Sequence, residues 1–162
     1  MTLTFARNKV VEVEASAAES LTVSWRLADT LMEAGIRMKF QLPDLEIMEA
    51  EARVGRTIHP ECASAAALVQ KAVGVRVGPG LRKIVRGLMG GPAGCEELAE
   101  GVLECCDAVI LHFTVPQIQA QEKMSEEERN EHRQAMLRLN PRLVRSCIAF
   151  ADDSPLMQGL NL

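Results

Sequence analysis

The side chains best suited to hold a metal or a reactive sulfur are five cysteines, at 62, 95, 105, 106 and 147, and three histidines. Cys95 lies in "GGPAGCEELAE", residues 90–100, directly behind a glycine-rich turn. There Gly94 can cap a helix and Cys95 falls in its first turn. Unpaired backbone N–H groups and the helix dipole at such a place favour a thiolate. The two carboxylates that follow, Glu96 and Glu97, oppose it. Cys62 repeats the arrangement, with Pro60 just ahead and His59 three residues earlier. His-x-x-Cys is a metal-ligand pair that still needs two more donors. For both thiols the competing reading is a small buried residue packed at a helix start, because free cysteine is among the most buried types.

Other chemistry is weaker. Cys105 and Cys106 lie mid-helix and read as core or interface; Cys147, in "CIAF", reads as core. His112 ends an apolar helix and His132 lies on a charged one, so both read as structural or solvated. "GPGLRKIVRG" offers an anion a glycine turn with Arg82, Lys83 and Arg86, but lacks the spacing of a phosphate loop or a dinucleotide motif. A solvated basic face explains it better. No histidine has an identifiable serine partner, so no hydrolytic triad is defensible. Glu96 and Glu97 as an acid–base pair form a third reading, resting only on their adjacency.

The elements that must position these residues divide by period. "KVVEVEA", "LTVSWRL" and "IRMKFQL" alternate apolar and polar residues, and "PD" at Pro43–Asp44 turns the chain into "LEIMEAEARVG". Residues 36–54 are thus expected to form a hairpin. "RLADTLMEAG" reads as either a short helix or a loop. After Arg56 the period lengthens. Helices are expected over "TIHPECASAAALVQKAVG", started by Thr57 or His59 with Pro60, and over "GPGLRKIVRGLMGG", with Leu81, Ile84, Val85 and Leu88 as its stripe. A third covers "CEELAEGVLECCDAVILHF", with Leu98, Val102, Leu103, Cys106, Val109 and Ile110 inward. A fourth covers "SEEERNEHRQAMLRL", opened by a Ser125–Glu128 capping box. Asn140–Pro141 opens a short last element, and the tail has no clear pattern. Strands first and helices afterwards make the fold α+β: a small antiparallel N-terminal sheet covered by C-terminal helices, in one domain over 1–162.

Composition narrows the function. The 162 residues carry a net charge of −4, one Trp, four Phe and no Tyr, so neither a basic footprint nor stacking platforms for nucleic acid are present. Aliphatic residues and eight Met must fill the core. "VLECCDAVILHF" is too short and too charged to span a bilayer, so no membrane association is expected. The N-terminus shows no apolar signal region, and five cysteines are an odd number; the chain reads as cytoplasmic, with free thiols.

The order "LPDLEIMEAEA", "CASAAALVQKAVGVRVGPGLRKIV", "GGPAGCEEL" and "CIAF" resembles an uncharacterised bacterial family, domain of unknown function 2889, marked by a Gly-Cys-Thr-His-Leu motif. The likeness runs over about residues 20–150. Here Glu96 and Glu97 stand where that motif has Thr-His. More remotely, "CASAAALVQKAVG" is similar to a helix start of the iron–sulfur scaffold, or SufE-like, fold. That likeness implies thiols at two helix starts, Cys62 and Cys95, facing one pocket. Asp44 stands loosely where the scaffold has its first cysteine, His59 is a further donor, and Cys147, at a Cys-x-Ala shared with the family, is a third thiol. Zinc or iron suits such a set. The expected function is therefore non-enzymatic handling of a metal, an iron–sulfur cluster or sulfur. The alternative is a metal-free binding or assembly module with a degenerate site, joined to a protein partner or to a second copy.

Overall fold

The computed structural model describes residues 2–17, 19–139 and 141–160. Four strands form one antiparallel sheet in the order β1-β2-β3-β4: β1 Arg7–Ala17, β2 Ser20–Asp29, β3 Glu33–Gln41 and β4 Glu46–Arg56. The expected hairpin is β3–β4, with Met38 opposite Ala50 and Ile36 opposite Ala52. The segment 26–35, which sequence leaves open between helix and loop, is strand on both sides of a tight turn. Asp29 decides this. Its carboxylate accepts the N–H groups of Leu31 (2.7 Å) and Met32 (2.6 Å), while its own N–H donates to Met32 O (2.8 Å). Together these bonds close the turn between β2 and β3 within four residues.

Pro60–Ala72 is helical, as its capping signals suggest, but is wound as a 3-10 helix and not an α-helix. The run of small side chains from Ala63 to Ala67 tolerates a winding in which positions i and i+3 eclipse. Ala65, Val69 and Ala72 are its buried residues. The chain then returns along the sheet edge: Ile47 N–H donates to Val75 O (2.9 Å) and Val77 N–H to Leu45 O (3.1 Å). Three α-helices follow: α1 Leu81–Met89, α2 Glu96–Gln121 and α3 Glu126–Leu139.

By its internal contacts the chain divides into two compact units, Met1–Phe113 and Thr114–Leu162. In the first, one face of the sheet is packed and the other is open. Leu21, Val23, Trp25 and Leu27 of β2 and Ala34, Ile36, Met38 and Phe40 of β3 point into the core with Leu81, Val85 and Met89 of α1 and Leu98, Val102, Cys106 and Val109 of α2. Two expectations change here. The α1 stripe is Leu81, Val85 and Met89, at a spacing of four, and Ile84 is exposed. On α2, Cys105 and Cys106 are both fully buried, as a core reading expects, but Ile110 faces outward. In the second unit the Ser125–Glu128 capping box forms as expected: Ser125 N–H donates to Glu128 Oε2 (2.7 Å) and Glu128 N–H to Ser125 Oγ (3.2 Å). Arg133 donates to Asn130 Oδ1 (3.1 Å) and Leu156 O (3.0 Å), which ties the patternless tail to α3. Among the described residues no helix is long and apolar enough to cross a membrane.

Candidate functional site

Cys95 is the N-terminal cap of α2, one place earlier than its expected position inside the first turn. Its N–H donates to Met89 O (2.8 Å), and its carbonyl accepts Ala99 N–H (3.0 Å). The thiol is half-buried against the core. The glycines ahead of it serve this closure. A Cβ at Gly94 would sit 2.0 Å from Met89 O. At Gly91, φ is +69°, which disfavours any other residue. The carboxylates behind Cys95 separate. Glu96 Oε1 accepts Gly91 N–H (3.0 Å), folding back over the glycine turn. Glu97 reaches the sheet, at 2.9 Å from Arg7 Nη1 and 3.7 Å from Lys9 Nζ. An acid–base pair needs both groups within reach of one substrate, and these two turn to different partners.

The other proposed donors are dispersed. Cys62 is half-buried at the start of the 3-10 helix, and its N–H donates to His59 O (3.0 Å). His59 is exposed, and its imidazole caps no backbone group. Asp44 is exposed at the β3–β4 turn, 3.7 Å from Arg76 Nη2; Arg76 Nε also donates to Glu46 Oε2 (3.0 Å). Cys147 is exposed within the second unit. The structure thus brings Asp44 to Arg76 and His59 to the backbone of Cys62. Among the described residues no three His, Cys, Asp or Glu side chains converge as a metal centre requires. Burial raises the pKa of Cys105 far above that of a free thiol, and pushes Cys106 up to about 12. Both stay protonated and inert.

Between β1, the β2–β3 turn and α2 runs an ionic seam. Arg7 lies 2.7 Å from Asp29 and 2.9 Å from Glu97, and Lys9 lies 3.0 Å from Glu104. Glu104 Oε2 also accepts the indole N–H of the fully buried Trp25 (2.5 Å). Arg56 donates to the carbonyls of Asp29 (2.5 Å) and Thr30 (2.7 Å). No local pattern announces this seam, because Lys9 and Glu104 are 95 residues apart. Burial raises the Asp29 pKa, but the N–H donors of Met32 and Leu31 and the Arg7 guanidinium outweigh it, leaving that pKa below the usual value. A lowered carboxylate pKa gives stability that is complete above the unfolded value, near 3.9, and lost as pH falls through the folded one. Asp29→Asn is therefore expected to flatten the acid limb of the stability curve below about pH 4 relative to wild type. Urea midpoints between pH 2 and 7 measure this, and parallel acid limbs would show that Asp29 carries none of it.

The open sheet face holds two shallow concavities. One of about 710 Å³ is lined by Thr22, Arg37, Lys39, Glu49, Glu51 and Gln70; the other, about 280 Å³, by Glu12, Ser24, Arg26, Gly35, Arg37 and Arg53. Charges on this face interleave: Arg26 is 3.0 Å from Glu12, Lys39 is 3.6 Å from Glu49, and Arg37 lies opposite Glu51 in the ladder. A lattice of both signs is what a solvated sheet face carries.

The second half of α2 is different. From Ala108 to Gln121 there is no Asp, Glu, Lys or Arg, yet Ile110, Leu111, Phe113, Val115 and Ile118 are all exposed. The apolar spacing places Ile110 inside and ends the helix near Phe113, whereas α2 runs on to Gln121 with Ile110 in water. The charge-free run was the available signal.

A family model described as "Protein of unknown function (DUF2889)" matches residues 5–111. The chain belongs to this family. The DUF2889 segment starts before β1 and ends at Leu111, so it nearly coincides with the first compact unit. This revises the span of about 20–150 suggested by motif order, and Cys147 lies beyond it. No curated protein and no solved structure matches the chain.

Proposed function

We propose that this DUF2889 protein is a metal-free, non-catalytic assembly module that works through the exposed second half of α2. One observation carries the reading: a charge-free helical segment keeps five large apolar side chains in water. At roughly half exposure each, they present on the order of 500 Å² of apolar surface spread around the helix, of which Leu111, Val115 and Ile118 share one side. Exposing that surface is unfavourable by roughly 25 cal/mol per Å², and a partner removes the penalty. Handling of a metal, a cluster or sulfur through Cys62 and Cys95 is the reading this one displaces. It needs a converging donor set, and Asp44 already faces Arg76.

Sedimentation velocity over roughly 1–200 µM tests the proposal, covering the micromolar range typical of weak but specific association. The expected result is a mass that rises with concentration above 17.7 kDa. Chelation tests the metal-free half. A ligand that binds only the folded state raises Tm, so removing one lowers it. Excess EDTA is expected to shift Tm by less than about 1 °C, and protein purified without oxygen is expected to contain no stoichiometric zinc or iron. A fall of several degrees, or one metal ion per chain, would overturn the reading.

A further inference from the structure

We infer that the open sheet face holds a site for hydrogen phosphate, the free ion, over Gly35. The interleaving of charge on that face breaks at this glycine. Arg26, Gly35 and Arg53 stand directly opposite one another on β2, β3 and β4, so one row across the sheet carries an arginine on each side of a gap. Ser24, Arg37 and Glu51 form the next row. These residues and Glu12 line the concavity of about 280 Å³. Its floor is backbone, because Trp25 and Ile36, which also line it, send their side chains into the core. Neither backbone angle nor packing requires a glycine here. Its φ lies outside the left-handed region, and a Cβ would meet only Trp25 O, at 3.6 Å, an ordinary contact. Glycine inside a strand weakens it, and marks a place where another group approaches the backbone.

The side chains around the gap are those a protonated oxyanion needs. Arg26 is held by Glu12 at 3.0 Å. Among the described residues, Arg37 and Arg53 have no ion-pair partner and the Ser24 hydroxyl donates to no protein atom. Donors thus line the gap from three strands. That suits a tetrahedral ion better than a planar carboxylate, which a single guanidinium fork satisfies. Glu51, also in the lining, can only accept. It repels sulfate, which has no proton to give, and accepts the P–OH of hydrogen phosphate. A fully ionised phosphate ester lacks that proton too, and the volume is at the small end for organic ligands. With Arg26 and Glu12 cancelling, Arg37 and Arg53 against Glu51 leave one positive charge in a chain of net charge −4. An anion held here is therefore held by local groups and not by the field of the whole protein.

Titrating the full chain with sodium phosphate near neutral pH and at constant ionic strength, followed by the amide NMR shifts of residues 34–37, tests this. Saturation with a Kd of about 1 mM or tighter is expected. Sulfate and glycerol 3-phosphate are expected to bind at least about 10-fold more weakly, and Glu51→Gln to bring sulfate level with phosphate. Arg37→Gln with Arg53→Gln, both at exposed positions, is expected to weaken phosphate binding by about 10-fold or more. Lys71→Gln with Lys83→Gln removes the same charge from exposed positions elsewhere and is expected to leave Kd unchanged. Gly35→Val keeps every charge, suits a strand and fills the gap, and is expected to abolish binding. No saturation, equal affinity for sulfate in the wild type, or equal weakening by the two glutamine pairs would overturn the site. So would binding that persists unchanged in a folded Gly35→Val chain, with the arginine pair deciding the matter where valine disturbs the strand.

Discussion

Gly94→Ala is expected to be among the most damaging single substitutions in this protein, although it adds one methyl group to a half-buried turn. The added Cβ would lie 2.0 Å from Met89 O, 2.4 Å from Met89 C and 2.9 Å from Gly90 O. All three are backbone atoms, so no side-chain rotation relieves the overlap. The backbone there has little room to yield: Met89 is buried, and its carbonyl holds the N–H of Cys95 at the cap of α2. Relief requires breaking that bond and pulling α2 away from the end of α1. The cost is about 3–4 kcal/mol, the range of the severe backbone and packing mechanisms. In urea this should lower the midpoint by more than about 1 M. Gly87→Ala is the control. It lies inside α1 with nothing within 4 Å of the added Cβ, and should stabilise by up to about 1 kcal/mol through helix propensity. Equal midpoints for the two variants would show that the turn at 90–95 is not held as described.

Gly101→Val is expected to be comparably severe for a different reason. At Gly101, α2 lies close against the side chains of the sheet. Its Cβ would fall 2.8 Å from Ile36 Cδ1 and 3.0 Å from Cδ2 and Cε2 of Trp25, and those two residues face each other across β2 and β3. The isoleucine tip can rotate away. The indole cannot follow freely, because its N–H is fixed on Glu104 and Lys9 lies over its ring, 5.8 Å from the centroid. Overpacking a close-packed core costs about 1–3 kcal/mol and occasionally more, and valine brings three carbons. The expected loss is about 3 kcal/mol or more. Gly101→Ala should lose less, because the gain in helix propensity, about 1 kcal/mol, offsets part of the overlap. Denaturant midpoints ordered wild type, alanine, valine check this. Movement of the Trp25 emission maximum in the valine variant would place the strain at the indole, and an unchanged spectrum with unchanged stability would remove the account.

Both substitutions strike the same structural relation, the seating of α2 on the sheet, and its two halves differ in how far sequence reveals them. Alternation in "KVVEVEA", "LTVSWRL" and "IRMKFQL" marks the strands because a sheet with one buried face imposes a period of two. The Pro-Asp turn, the capping box at Ser125 and the glycine punctuation around α1 are likewise local events with local residues. The surroundings of the thiols are hidden by the same locality. A cysteine at a helix start looks equivalent whether its sulfur faces a pocket or packs under a turn. For Cys95 the difference lies in Met89 and Gly94, whose closeness appears only once α1 and α2 meet.

The amino-acid order by itself determined the class of fold, the four strands and the approximate helix starts, because each depends on side chains within a few residues of one another. Tertiary structure alone decided that Asp29 ends a strand while pairing with Arg7, that Glu97 and Glu104 turn toward the sheet, that no three donors converge among the described residues, and that Leu111, Val115 and Ile118 stay in water. Those outcomes depend on which distant surfaces meet, and one-dimensional periodicity says that a face is apolar without saying what covers it.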